Sequence, residues 1–190
     1  KEETYRYLSI DIGNGIIHED NPKFIKPRID SCLSDFFGAE DRHVNCEKCK
    51  DGKVATQTMK ILSKPKVALI HLKRFFVVEK QITDRNNCPS KEIVLQKNRV
   101  PVELTPKLSI DNLLAKKSIS SEEYHLKSIV YHIGNTANSG HYTTDALRRH
   151  KEKDQWVSYD DGVTDEKSFD KTVQSTKNQK TAYMLTYERA

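Results

Sequence analysis

One histidine and two carboxylates carry the clearest chemical signal in this chain. His141 opens a β-rich run, His141-Tyr142-Thr143-Thr144, directly after a loop containing Gly134, Asn135, Asn138, Ser139 and Gly140. Those loop residues suit unusual backbone angles. A second β-rich run, Trp156-Val157-Ser158-Tyr159, delivers Asp160 and Asp161 together. If the two runs pair as antiparallel neighbours, the carboxylate end of one lies beside the histidine end of the other. An imidazole oriented by an acid is a general base. On spacing alone a histidine near an aspartate is more often an ordinary surface or core residue. Gly140 adds weight to the chemical reading, because a residue without a side chain lets an extended substrate segment approach closely. The constellation lacks a nucleophile.

The cysteines do not supply one. Cys46 and Cys49 form a C-x-x-C followed by Lys50-Asp51-Gly52, a knuckle whose two thiolates can ligate zinc. A structural zinc needs four ligands. His43 lies close, but there is no second C-x-x-C in the chain. The pair is half a site. Either its complement lies outside the chain, or the knuckle is only a turn. Cys32 falls on the apolar face of a helix and reads as core, and Cys88 stands alone in a polar loop.

Composition bounds the rest. A length of 190 residues fits one domain or a large part of a bigger one. With 31% charged and 36% hydrophobic residues the chain has the make-up of a soluble protein, and no apolar run is long enough to cross a bilayer. The net charge of +5 is spread along the chain without an arginine-rich arm, so neither nucleic acid nor membrane is an expected partner. Cysteine usage of this kind points to a reducing compartment, cytosol or nucleus. The chain begins at Lys1 rather than Met and reads as processed or excised.

The elements that must position the site are mostly short strands. Tyr5 to Ile12 reads as a half-buried strand. From Arg28 to Phe37 the apolar residues Ile29, Cys32, Leu33, Phe36 and Phe37 recur at helical spacing, with Gly38 at the C-terminal end. Val54 to Leu62 and Val67 to Val78 are β-rich, the latter the most apolar stretch and a central-strand candidate. Its His71, Lys73 and Arg74 are expected on a wet side or against a partner. Ile93 to Leu95 and Val100 to Leu104 are short, and Pro101 puts the second at an edge or a strand start. A brief helix is expected within Leu108 to Ala115, capped by Ser109 or Asp111. Tyr124 to His132 is a strand leading into the histidine loop. Phe169 to Lys180 is loop or helix, and Ala182 to Tyr187 is a closing strand.

In this order the segments resemble the C-terminal half of the catalytic domain of the ubiquitin-specific proteases. Leu8-Ser9-Ile10-Asp11-Ile12 is similar to the family's L-S-L-x-I strand, Cys32 to Glu40 to its short helix, and Cys46 with Cys49 to its zinc knuckle. Pro65 to Phe75 (PKVALIHLKRF) matches a family strand almost letter for letter. Val130, His132, Gly134 and Gly140 to Thr143 match the histidine box, Trp156 and Tyr159 to Asp161 the following acid element, and Ala182, Tyr183, Leu185 and Tyr187 the closing strand. No single match is decisive. Their shared order is.

The resemblance implies an α+β, papain-like cysteine-protease fold of thumb, palm and fingers. This chain would supply the antiparallel β-rich palm (about 66–190) and part of the fingers with a connecting helix (about 1–65). It implies His141 as the base that deprotonates a catalytic cysteine, Asp160 as its orienting acid, and Asp161 as a neighbour holding water or the oxyanion region. Gly140, His132 and Tyr142 would contact the substrate tail, and Cys46 and Cys49 would be half of a structural zinc site. No organic cofactor is implied. The family's G-N-T-C-Y box and its first C-x-x-C are both missing, as expected if Lys1 follows them. The implied activity is thiol-dependent cleavage after the C-terminal glycine of ubiquitin. Partners are ubiquitin or a ubiquitinated protein, and an N-terminal segment or chain carrying the cysteine. By itself the chain is expected to be inactive. The alternatives are an inactive ubiquitin-binding or scaffold domain, disfavoured by His141 with Asp160, and an unrelated zinc module, disfavoured by too few ligands.

Overall fold

A computed structural model describes residues 2–13, 25–45, 47, 48, 50, 52–83, 89–116, 121–150 and 153–190. In chain order these form β1 (Leu8–Ile10), α1 (Ile29–Phe36), β2 (Glu40–Asn45), β3 (Gly52–Gln57), β4 (Val67–Leu72), β5 (Phe75–Thr83) and β6 (Pro89–Lys97). There follow β7 (Lys107–Leu108), a 3-10 turn at Asp111–Leu113, β8 (Tyr124–Ile133), β9 (His141–His150), β10 (Lys153–Asp160) and β11 (Val163–Lys167). The chain closes with α2 (Phe169–Gln174), α3 (Thr176–Thr181) and β12 (Ala182–Arg189).

One mixed sheet organises the molecule, in the order β1-β4-β12-β8-β9-β10-β11, with β7 beside β8. All pairings but β1 with β4 are antiparallel. The central strands send Ile70 and Leu72 and Leu185 and Tyr187 into one core by alternation, and Leu126 and Ile129 join them across a bulge at Lys127. The α1 residues Ile29, Cys32 and Leu33 close over it, together with Val102, Leu104 and Leu113. Two separate hairpins project from this body: β2–β3, and β5–β6. Trp156 on β10 packs against Phe169 at the start of α2, fixing the far side of the sheet.

Several expectations are refined. The strand expected from Tyr5 is regular only over Leu8–Ile10, and β3 stops at Gln57. β6 runs nine residues rather than three, because its ladder with β5 continues from Phe75↔Lys97 to Thr83↔Pro89. Residues 100 to 104 form no strand, yet Val100, Val102 and Leu104 are buried as irregular chain. The open stretch before β12 resolves into two short helices, each capped by a serine: Ser168 accepts from Lys171 N and Ser175 from Asn178 N.

Arg74 overturns its expectation. It is fully buried, and its guanidinium donates to four backbone carbonyls: Ala182 (2.6 Å), Asn98 (3.2 Å), Val100 (2.8 Å) and Gln179 (2.6 Å). A planar fork of donors satisfies carbonyls that irregular segments leave unpaired. Burial lowers its pKa to about 10, so it remains a cation at neutral pH. The residue is a structural pin between the 98–100 segment and the α3–β12 junction, not a wet-face charge.

Candidate active site

The β9–β10 ladder builds the site. Its register runs from Lys153↔His150 to Tyr159↔Thr144, and one further step sets Asp160 opposite Thr143. His141 lies two residues before Thr143, on the same face by strand alternation, so Asp160 meets it diagonally. The side chains bond: His141 Nε2 contacts Asp160 Oδ1, with both groups about half exposed. Among the described residues none bonds His141 Nδ1. The bond to Asp160 is the first cause of a raised His141 pKa, with the charges of Asp160 and then Asp161 adding to it. An imidazolium would be held in place and stabilised here.

Asp161 has left the strand. It begins the turn between β10 and β11 with φ +50, a left-handed conformation that aspartate adopts more readily than most residues. One ligand atom from each of His141, Asp160 and Asp161 lies within 4.8 Å of the others. Asp161 therefore contributes charge beside the imidazole without bonding it.

The loop before His141 is pinched at its neck. β8 and β9 pair up to Ile133↔His141, and beyond this Gly134 and Gly140 face each other. Gly134 has φ +139, and a Cβ there would lie 3.0 Å from Gly140 Cα. A Cβ on Gly140 would lie 2.7 Å from Ile133 O and overlap the His132 ring. Only glycine fits either position without displacing the neck.

His132 lies beneath the loop, 1% exposed. Lys97 Nζ donates to its Nδ1 at 2.9 Å, which places the ring proton on Nε2, next to Gly140. Burial lowers the His132 pKa and the Lys97 charge adds to that, so the ring is neutral at neutral pH. Tyr142, 52% exposed, covers the outer side with its ring centroid 4.9 Å from that of His132. Tyr183 completes the wall, 5.8 Å from His132 and 6.1 Å from Tyr142. Tyr183 reaches this position through an irregular register: Ala182 pairs with Tyr131 but Met184 with Val130, leaving Tyr183 as the extra residue of a bulge.

Sequence reasoning therefore named His141, Asp160, Asp161, Gly140, His132 and Tyr142, and the structure gathers all six at one end of β8–β10. It missed Lys97 and Tyr183. A bulge has no local sequence signature, and a strand-terminal lysine reads as surface.

Other candidate sites fare differently. A concavity of about 730 Å³ lies apart, lined by residues including Asp11, Cys32, Asp35, Arg42, Met59 and Lys73. Cys32 there is not an activated thiol: burial first, and then the charge of Asp35, push it up to about 11. Cys46, Cys49 and Cys88 lie outside the described residues. The β2–β3 ladder closes at Asn45↔Gly52, so 46–51 joins two paired strand ends. Among the described residues the single cluster with three metal-capable side chains is the His141 group. No described helix is long and apolar enough to cross a membrane.

Comparison with known proteins agrees with this geometry. A family model described as ubiquitin carboxyl-terminal hydrolase matches residues 17–187. Ubiquitin carboxyl-terminal hydrolase 4 of Arabidopsis thaliana is 29% identical over 99% of this chain and 47% of its own length. Ubiquitin carboxyl-terminal hydrolase 51 of Mus musculus is 32% identical over 86% of this chain and 24% of its own. This chain thus spans about half the length of the first relative and a quarter of the second. Among solved structures, the SAGA DUB module Ubp8/Sgf11/Sus1/Sgf73 bound to monoubiquitin aligns with TM-score 0.70 at 24% identity, over 97% of this chain and 35% of that one. At that identity the likeness speaks for the fold, the expected papain-like α+β arrangement with a β-rich palm. Matched by the family model over nearly its whole length, the chain belongs to the ubiquitin carboxyl-terminal hydrolase family, as part of a ubiquitin-specific protease catalytic domain.

Proposed function

We propose that this chain is the base-and-acid half of a thiol-dependent deubiquitinase, with the nucleophilic cysteine supplied by an N-terminal segment or chain. The observation carrying the proposal is the His141 ring, tied to Asp160 through Nε2, while none of the described residues bonds its Nδ1. Nδ1 takes the proton of the cysteine thiol. The thiolate attacks the carbonyl carbon of the C-terminal glycine of ubiquitin, and the imidazolium returns its proton to the leaving lysine amine. The resulting thioester is hydrolysed when the same nitrogen deprotonates water. Asp160 fixes the tautomer and stabilises the imidazolium between these steps. Asp161 holds water or the oxyanion region.

Gly140, Tyr142 and His132 form one wall of the tail channel. Gly140 leaves room for the substrate backbone, Tyr142 offers an exposed ring, and His132 supports both from below. Residues about 1–65 belong to the fingers and connecting helix and about 66–190 to the palm. Cys46 and Cys49 are half of a structural zinc site whose thiolates would lock the fingers when joined by two further ligands. Ubiquitin or a ubiquitinated protein is the partner, in cytosol or nucleus.

The test is hydrolysis of a fluorogenic ubiquitin C-terminal substrate by the complete protein and by the 190-residue chain. Turnover by the complete protein and none by the chain is expected. Turnover by the chain, abolished by Cys32→Ala, would place the nucleophile inside it and refute the division of labour.

A further inference from the structure

The chain holds a buried cation that the reaction scheme does not use. Lys97 ends β6, only 9% exposed, whereas Lys91 on the same strand is exposed and pairs with Glu79. Its ammonium donates all three of its protons: to His132 Nδ1 at 2.9 Å, His132 O at 2.7 Å and Gly134 O at 2.9 Å. Among the described residues no carboxylate pairs with it. Its charged neighbours are Arg74 and Arg99, both of its own sign, and its ring contacts are His132 and Phe75. A buried charge in such company costs stability, and an apolar side chain would fill the same space without that cost. What only an ammonium offers is three donors from a single atom.

Those donors converge on the neck of the β8–β9 loop. Two hold the carbonyls on its β8 side. The third fixes the His132 ring, against which Gly140, the residue before His141, is packed. Arg99 reaches the same loop through Asn135. We propose that Lys97 is a positioning residue: its ammonium clamps both sides of the loop neck and thereby sets His141 against Asp160. The inference rests on His141 being the general base, but the clamp itself is a property of the loop.

The experiment uses the complete protein with Lys97→Met, and Lys97→Gln as a second variant. Hydrogen exchange of amides 133–141 is read against those of the β9–β10 ladder, beside kcat for the fluorogenic ubiquitin substrate. Loss of a clamp near the reacting atoms should speed loop exchange by about tenfold or more and lower kcat by ~10- to 100-fold, with the ladder unchanged. Folded variants whose loop exchange and kcat both stay within about twofold of wild type overturn the proposal. If wild type shows no hydrolysis, the functional reading fails, and loop exchange alone decides the clamp in the same way. If neither variant folds, wild-type exchange between pH 7 and 9.5 decides it, corrected for the intrinsic pH dependence. Burial and the two guanidinium groups bring Lys97 down to about 8, and a neutral amine has one donor fewer. Loop protection falling relative to the ladder across that range supports the clamp. Parallel behaviour of loop and ladder overturns it.

Discussion

At the scale of the residue, two adjacent acids act differently on one imidazole. Asp160 affects His141 through a hydrogen bond and a charge, Asp161 through charge alone, and both raise the imidazole pKa. Asp160→Asn should therefore lower the His141 midpoint further than Asp161→Asn does, read from the imidazole NMR titration of the complete protein. Equal shifts, or a larger one from Asp161→Asn, would reverse the assignment. The sign for stability follows from the same direction. A raised folded-state pKa means that the His141–Asp160 bond contributes fully below the ordinary imidazole range. That contribution is lost as pH rises through the folded-state value. Exposure of both groups keeps it small. In the sequence these roles came from the resemblance alone: strand period would send adjacent side chains to opposite faces, but Asp161 lies in the turn after the strand, and its carboxylate still comes near the imidazole. The φ of Asp161 was not legible, nor was the burial of Arg74. A basic residue at a strand end looks the same in sequence whether it meets water or four unpaired carbonyls.

At the scale of the element, the site is a consequence of three antiparallel strands, β8, β9 and β10, paired in sequence order. The β8–β9 loop reads from sequence as glycine-rich, but its neck, with Gly134 against Gly140, is a three-dimensional contact. Gly140→Ala should destabilise the complete protein by about 1–3 kcal/mol, as overpacking does, since the added carbon meets backbone as well as the His132 ring. Displacing His141 should lower kcat/KM by about 10²-fold. Thermal unfolding and steady-state kinetics read the two effects, and a variant within about twofold of wild type in kcat/KM would show that the neck is slack. The β9–β10 pairing was expected from two short runs and is present. The β12 bulge that brings in Tyr183 was not visible, since an extra residue in a ladder depends on the partner strand. The length of β6 was missed for a related reason: its polar residues Lys91, Glu92 and Gln96 hide a strand that exists because β5 pairs with it.

At the scale of the whole molecule, the chain spans about half of a curated relative, and the proposed function leaves the nucleophile to the rest. Apolar spacing marked the strands and one helix that build this core, and the fold came from the resemblance carried by motif order. In the proposed zinc site Cys46 and Cys49 supply two ligands of four. Tight stoichiometric zinc is expected in the complete protein and not in the 190-residue chain, by metal analysis of both after dialysis. Tight zinc in the chain alone would mean that His43 or another of its own groups completes the site. The central claim is narrower than either: His141 is the base of a ubiquitin-cleaving thiol enzyme. It is tested most directly by kcat of the complete protein on a fluorogenic ubiquitin substrate, wild type against His141→Ala. The account predicts a loss of about 10²–10⁴-fold or more, with Asp160→Ala at most as severe. A folded His141→Ala protein that keeps wild-type kcat would contradict it.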